Sequence, residues 1–340
     1  MLPDGNSICT FGARKEILNM KKTLLFLGGA ATVGVGAFAV ANEMLYRFLI
    51  HKEIKVPAGF GKFMSGGVEA PAEKDSYFRR CRLALEEYGY ERHYMINERG
   101  HKVVGYLVKP EKESNVYVFC SHGYRNEGKR EWCSFFEHYV KELGFNMFFV
   151  DHQCAGESDG QYVGFSSFES VDSMKWLSYL NETFGEDIQI ILHGISMGST
   201  TVMLMTGNEN LPENVRFTIA DCGFTSALDE FKFKLKCWGT PEFPLVPIIN
   251  GMNKRRAGYD FQEDTNALEA VSKVKIPMLF IHGGDDNFVP TYMVHELFDA
   301  CSAPYKDKLV VDGAGHGLSY FMDKESYEKK MDEFIAKFIK

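Results

Sequence analysis

From Val116 onward the sequence alternates short, almost wholly apolar runs with longer amphipathic stretches, and few folds accept that rhythm. The runs are Val116 to Cys120, Met147 to Val150, Ile188 to Leu192, Phe217 to Ala220, Met278 to Ile281 and Leu309 to Val311. Between or after them lie helical patterns: Glu131 to Leu143 closed by Gly144, Ser166 to Phe184 with Asp172, Lys175 and Glu182 on its wet side, Met197 to Thr206, and Lys324 to Ile339. A strand that is apolar along its whole length is buried on both faces, as in a parallel sheet covered by helices. Right-handed crossovers then predict an α/β fold with a doubly wound, mostly parallel sheet, whose site is built by loops at the strand carboxyl ends. Ahead of it, Tyr90 to Ile96 and Val103 to Val108 alternate about the turn Asn97-Glu98-Arg99-Gly100, a β-hairpin pattern. Tyr77 to Glu87 reads as a helix.

One segment breaks the rhythm. Residues 222–275 hold no convincing strand and read as a helical lid insertion above the sheet. Within it, Phe243-Pro244-Leu245-Val246-Pro247-Ile248-Ile249 carries prolines that forbid a central strand, so it is expected to form an apolar wall over the site.

The N-terminal end carries a different signal. From Thr23 to Asn42 no residue is charged, with Lys21 and Lys22 before the stretch and Glu43 and Arg47 after it. About 20 such residues as a helix match a hydrocarbon core. Two readings compete: an uncleaved transmembrane signal anchor, or a secretory signal cut after Ala37-Phe38-Ala39 or Ala39-Val40-Ala41. Met20-Lys21-Lys22-Thr23 also resembles a translation start, so residues 1–19 are either a short cytoplasmic tail or upstream sequence. The expected organisation is a tail at 1–22, a membrane helix at 23–42, a stalk at 43–75 and one α/β domain at 76–340. Anchoring is favoured because the run exceeds a 7–15-residue signal core. The expected location is the cell membrane, single-pass, with the domain outside, or secretion if the segment is cleaved.

Composition excludes several roles. The net charge is −8, without a long lysine or arginine block, which argues against nucleic-acid binding. The eight cysteines include no CxxC pair, so neither a zinc ribbon nor a thioredoxin-like site is supported; they read as free thiols. They argue mildly against an oxidising exterior.

Directly after the Ile188–Leu192 run comes His193-Gly194-Ile195-Ser196-Met197-Gly198, entering a helix. G-x-S-x-G between strand and helix is a nucleophile elbow, a turn so tight that Gly194 and Gly198 must lack side chains. A serine nucleophile needs a base and an orienting carboxylate, in chain order Ser, Asp/Glu, His. The fifth run ends in His282-Gly283-Gly284-Asp285-Asp286-Asn287-Phe288-Val289-Pro290, and the sixth in Asp312-Gly313-Ala314-Gly315-His316-Gly317. His316, flanked by glycines, is the expected base. His122 and His193 read as loop braces and His282 as a strand-end residue. Oxyanion donors are expected from the N–H groups of Met197, after the nucleophile, and of Tyr124, in the loop Ser121-His122-Gly123-Tyr124.

These motifs, with Asp151-His152-Gln153-Cys154-Ala155-Gly156-Glu157-Ser158 and Ala314 to Tyr320, resemble the α/β-hydrolase superfamily over about residues 75–340. More narrowly, they are similar to N-terminally membrane-anchored serine hydrolases of Gram-positive bacteria, related to lysophospholipase, monoacylglycerol-lipase and S33-peptidase-like groups. The resemblance implies Ser196, Asp286 and His316 as a triad; the family places its carboxylate four residues before the proline, which selects Asp286 over Asp285. Gln153 stands where the family has arginine. The implied activity is cleavage of carboxylic esters through an acyl-enzyme, on a small acyl-ester or lipid-like substrate, with no metal or organic cofactor. A peptidase or amidase would use the same triad, and a catalytically silent binding module is the reading from another class.

Overall fold

The computed structural model describes residues 35–52 and 71–340. Its strands are β1 Glu91–Ile96, β2 Lys102–Val108, β3 Val116–Ser121, β4 Asn146–Asp151, β5 Gln189–Ile195, β6 Val215–Asp221, β7 Met278–Gly283 and β8 Lys306–Val311. They form one sheet in the order β1-β2-β4-β3-β5-β6-β7-β8. β1 and β2 pair antiparallel, as do β2 and β4, and every later pairing is parallel. The hairpin and the parallel sheet expected from the sequence are both present. The chain runs from β3 to β4 on one side and then crosses back over β3 to β5 on the other, so the carboxyl ends of β3 and β5 flank the crevice where such sheets place their sites.

Each central strand sends alternate residues to opposite cores. Val118, Cys120, Phe149, Ile191 and Phe217 pack on one face with Tyr139, Met331 and Phe334. Phe119, Phe148, Ile190 and Leu192 pack on the other with Trp176, Leu177 and Val202. The covering helices are α2 Lys74–Tyr88, α3 Gly128–Trp132, α4 Ser167–Phe184, α5 Met197–Thr206, α9 Tyr292–Ala300 and α11 Lys324–Phe338, with a short α10 at Ser319–Met322. The stretch expected as one helix from Glu131 to Leu143 divides into α3 and a π-helical turn, Glu137–Glu142. β8 starts three residues earlier than its apolar run because Lys306, Asp307 and Lys308 belong to an edge strand, where charge discourages further pairing. All seven cysteines among the described residues are unbridged, and Cys120, Cys133, Cys222 and Cys301 are buried.

Between β6 and β7 the chain forms α6 Ala227–Cys237, α7 Leu245–Arg256 and α8 Ala267–Val271. The Phe243–Ile249 run is not a strand. It enters α7, with Ile249 fully buried and Phe243 80% exposed.

The N-terminal helix α1, Val35–Ile50, crosses the boundary drawn between membrane segment and stalk. It packs on α7, buries Tyr46 and Ile50, and pairs Glu43 with Arg256 at 2.7 Å. Residues 43–50, expected as stalk, are thus integrated into the domain surface. Residues 23–34 and 53–70 lie outside the described residues. Among the described residues no helix is long and apolar enough to cross a membrane.

Candidate active site

The structure brings Ser196, His316 and Asp286 into one hydrogen-bonded line, from the ends of three different strands. His316 Nε2 stands 2.8 Å from Ser196 Oγ, and His316 Nδ1 stands 2.7 Å from Asp286 Oδ2. A carboxylate can only accept, so Nδ1 carries the proton and Nε2 accepts from the serine hydroxyl. Asp286 Oδ1 accepts the N–H groups of Phe288 and Val289, both at 2.9 Å, which fixes the carboxylate plane. Burial alone would raise the Asp286 carboxyl; the His316 imidazole and a hydrogen bond from His282 outweigh it and hold the group well below the usual carboxylate range. Asp285, by contrast, is exposed.

Ser196 has φ 57° and ψ −119°, a conformation that residues with side chains rarely adopt. The elbow glycines are required by contact. A Cβ on Gly194 would sit 2.1 Å from the Gly198 carbonyl oxygen, and one on Gly198 would sit 1.9 Å from that of Ser121. The serine's own N–H donates to the Asp221 carbonyl at 2.8 Å, so the turn is pinned to β6.

Met197 begins α5, where the first N–H groups of a helix lack intrahelical acceptors. Opposite lies the loop after β3. Gly123 N–H donates to the Glu131 carboxylate, which also receives the Asn126 amide at 2.7 Å. Burial pushes Glu131 up to about 7, although Gly123, Asn126 and His316 pull the other way. The Tyr124 hydroxyl donates to Leu49 O at 2.7 Å and accepts from Arg125 Nε at 2.7 Å. Arg125 also donates to the carbonyls of Phe48 and His51. The loop expected to hold an oxyanion donor is therefore bound to the C-terminal end of α1.

Ser196 opens into an apolar pocket walled by Phe48, Leu49 and Ile50 of α1, Phe224, Phe231, Trp238, Phe261 and Phe288. Leu245, Val246 and Ile249 pack behind that wall without lining it; the wall over the site comes from α6, not from the Phe243–Ile249 run. Two charged residues face the pocket, Glu230 and Lys234. Sequence reading missed them, together with the α1 wall and Glu131. None belongs to a local motif, and the helical spacing of Glu230 and Lys234 reads as an ordinary surface pair.

His122 and His193 brace structure. His122 Nε2 accepts the His152 N–H at 3.0 Å, a loop role as expected. His193 instead lies fully buried between the hydroxyls of Tyr139 and Tyr327, at 2.8 and 3.0 Å. Gln153 is served from elsewhere in the chain: Arg99 of the hairpin turn donates to its Oε1 at 2.7 Å and to Asp172 at 2.8 Å. A guanidinium thus reaches the place next to Gln153 from another loop. Cys222, Asp286 and His316 approach within 4.8 Å of one another. Both His316 nitrogens are engaged, and burial pushes the Cys222 thiol well up, so this cluster offers no ready metal ligands.

The model of the prolyl oligopeptidase family (Peptidase_S9) matches residues 167–340, a span that includes Ser196, Asp286 and His316. The chain belongs to the prolyl oligopeptidase family. It is accordingly a serine hydrolase of the α/β-hydrolase type, an esterase or a peptidase. The uncharacterized protein YqkD of Bacillus subtilis is 29% identical over 237 residues, covering 69% of this chain and 76% of that one. The Pyrococcus furiosus esterase Pf2001 superposes with a TM-score of 0.61 at 19% identity, covering 80% of this chain and 96% of its own. An acylaminoacyl peptidase gives 0.52 at 16%, covering 74% of this chain and 42% of its own. At such identities these two structures speak to the fold alone.

Proposed function

We propose that the protein is a membrane-associated hydrolase that cleaves carboxylic esters through an acyl-enzyme formed on Ser196. The observation that carries this reading is the line Ser196–His316–Asp286 opening on an apolar pocket. Ser196 Oγ attacks the ester carbonyl carbon while its proton passes to His316 Nε2. The N–H groups of Met197 and Tyr124 receive the negative oxygen. The bond to the leaving alcohol breaks as His316 returns the proton to that alcohol. Water then attacks the acyl-serine, again through His316, and releases the acid with Ser196 restored. Asp286 holds the imidazole and balances its charge without taking its proton.

The insertion α6–α8 serves as a lid whose α6 face walls the acyl group. The uncharged run at 23–42 anchors the chain with the domain on the outer cell face. Exposed Val40, near the end of that run, and Met44, just beyond it, support a surface that rests near lipid. Protease added to intact cells should then degrade the domain and spare cytosolic markers; survival until the membrane is breached would reverse the orientation.

The family match favours one second reading, a peptidase or amidase using the same residues. Initial rates on p-nitrophenyl esters and on p-nitroanilides sharing one acyl group separate the two. The ester reading expects turnover of the esters alone, and faster anilide cleavage would replace it.

A further inference from the structure

A buried carboxylate lines the apolar pocket with a lysine beside one oxygen and no donor at the other among the described residues. Glu230 lies on α6 and is 8% exposed. Neither of its oxygens receives a hydrogen bond of sound geometry among the described residues. Lys234, one turn on, stands 3.1 Å from Oε1 and balances the charge, but it also donates to the Phe288 carbonyl and lies 3.7 Å from the Phe288 ring centroid. Oε2 is buried without a partner among the described residues, on a side chain that lines a pocket walled, apart from Ser196 and Lys234, by aromatic and aliphatic side chains. A buried acceptor without a donor is costly, and native structures avoid it unless a water or a ligand completes it. Glu230 and Ser196 line the same pocket.

The chemistry of the missing partner follows from the pair. A cationic group entering here would meet the Lys234 ammonium as well as the carboxylate. A neutral donor gains the hydrogen bond without that repulsion, while the rest of its chain gains apolar contact. A plain hydrocarbon chain would leave the acceptor buried and unpaired, which is how polar pockets reject analogues that lack a hydroxyl.

We propose that Glu230 selects acyl groups bearing a hydroxyl, accepting its O–H at Oε2 while the ester carbon lies at Ser196. This selection rests on the ester-hydrolase reading above.

The test uses p-nitrophenyl esters of straight-chain acids of increasing length, each beside its ω-hydroxy counterpart, with the full-length protein. The readout is the ratio of kcat/KM for the hydroxy ester to that for the plain ester. At the chain length that reaches Glu230 the ratio should exceed about tenfold, the worth of a hydrogen bond to a charged group. Glu230→Leu should bring it to one or below, and Glu230→Gln to an intermediate value. Fluorophosphonate labelling of each variant reports that its site is folded. Ratios at or below one at every length in the wild-type protein, with plain esters turned over, overturn the selection alone. So does a preference that Glu230→Leu leaves unchanged. If no ester is hydrolysed and no label is taken up, the ester-hydrolase reading itself falls, and the selection with it.

Discussion

The Tyr124 hydroxyl donates to the Leu49 carbonyl at 2.7 Å, which joins the loop beside Ser196 to the last turn of α1. Arg125 reinforces the joint by donating to Phe48 and His51, where a helix end leaves carbonyls without intrahelical donors. The same turn supplies Phe48, Leu49 and Ile50 to the pocket wall. One contact set therefore positions both a pocket wall and the loop proposed to hold an oxyanion donor.

Arg125→Ala should loosen both. We expect kcat/KM on a short-chain ester to fall about tenfold, the worth of a charge-assisted hydrogen bond, with KM raised and kcat lowered together. Thermal stability of the sheet core should change little, because α1 docks on the insertion helix α7. Unchanged kinetics would mean that the joint is not needed for catalysis.

Asp286→Asn should lower kcat on the order of 10⁴-fold, since an amide no longer holds the imidazole in the tautomer that accepts from Ser196. Asp285→Asn, at an exposed position, should alter stability by no more than about 0.5 kcal/mol and leave turnover near wild type. Steady-state kinetics on the two variants, side by side, checks the difference; equal losses would contradict the placement of this loop.

Gly198→Ala forces a methyl to within 1.9 Å of the Ser121 carbonyl oxygen, a backbone atom that cannot rotate away. We expect a loss of roughly 3 kcal/mol or a failure to fold, at the upper end for overpacking. Gly313→Ala meets no neighbour and carries only the strain of φ 72°, so it should cost about 1 kcal/mol. Urea denaturation of both variants ranks them.

The pattern of what the sequence announced follows from where each signal resides. Ile188 to Gly198 carries its strand, turn and helix within eleven neighbouring residues, so the elbow was legible locally. His316 was legible because core packing hardly explains a histidine between two glycines. Glu230 and the α1 wall were not, since their meaning arises only when α1, α6 and the Tyr124 loop converge. The prolines at 244 and 247 rightly excluded a strand, yet they could not tell which helix would face Ser196.

Glu169 gives a pH dependence. It is fully buried at the start of α4, and burial pushes its carboxyl up to about 7 despite the N–H groups of Gly164 and Ser166 that it accepts. An acid whose pKa is raised on folding binds its proton more tightly in the folded state. Its contribution is present below the unfolded value near 4.5 and is lost as pH rises towards about 7. Stability should thus fall over that window, with Glu131 and Asp221 adding in the same direction. Glu169→Gln should flatten the slope in part. Identical slopes of urea midpoint against pH in both proteins would contradict this.

The most direct measurement is intact-protein mass spectrometry after reaction with a fluorophosphonate, on wild-type protein and on Ser196→Ala. The account predicts one adduct on the wild-type chain, mapped to the peptide carrying Ser196, none on the variant, and ester turnover lowered on the order of 10⁶-fold in that variant. An adduct of equal yield on Ser196→Ala, or one mapped to a different serine, would contradict it.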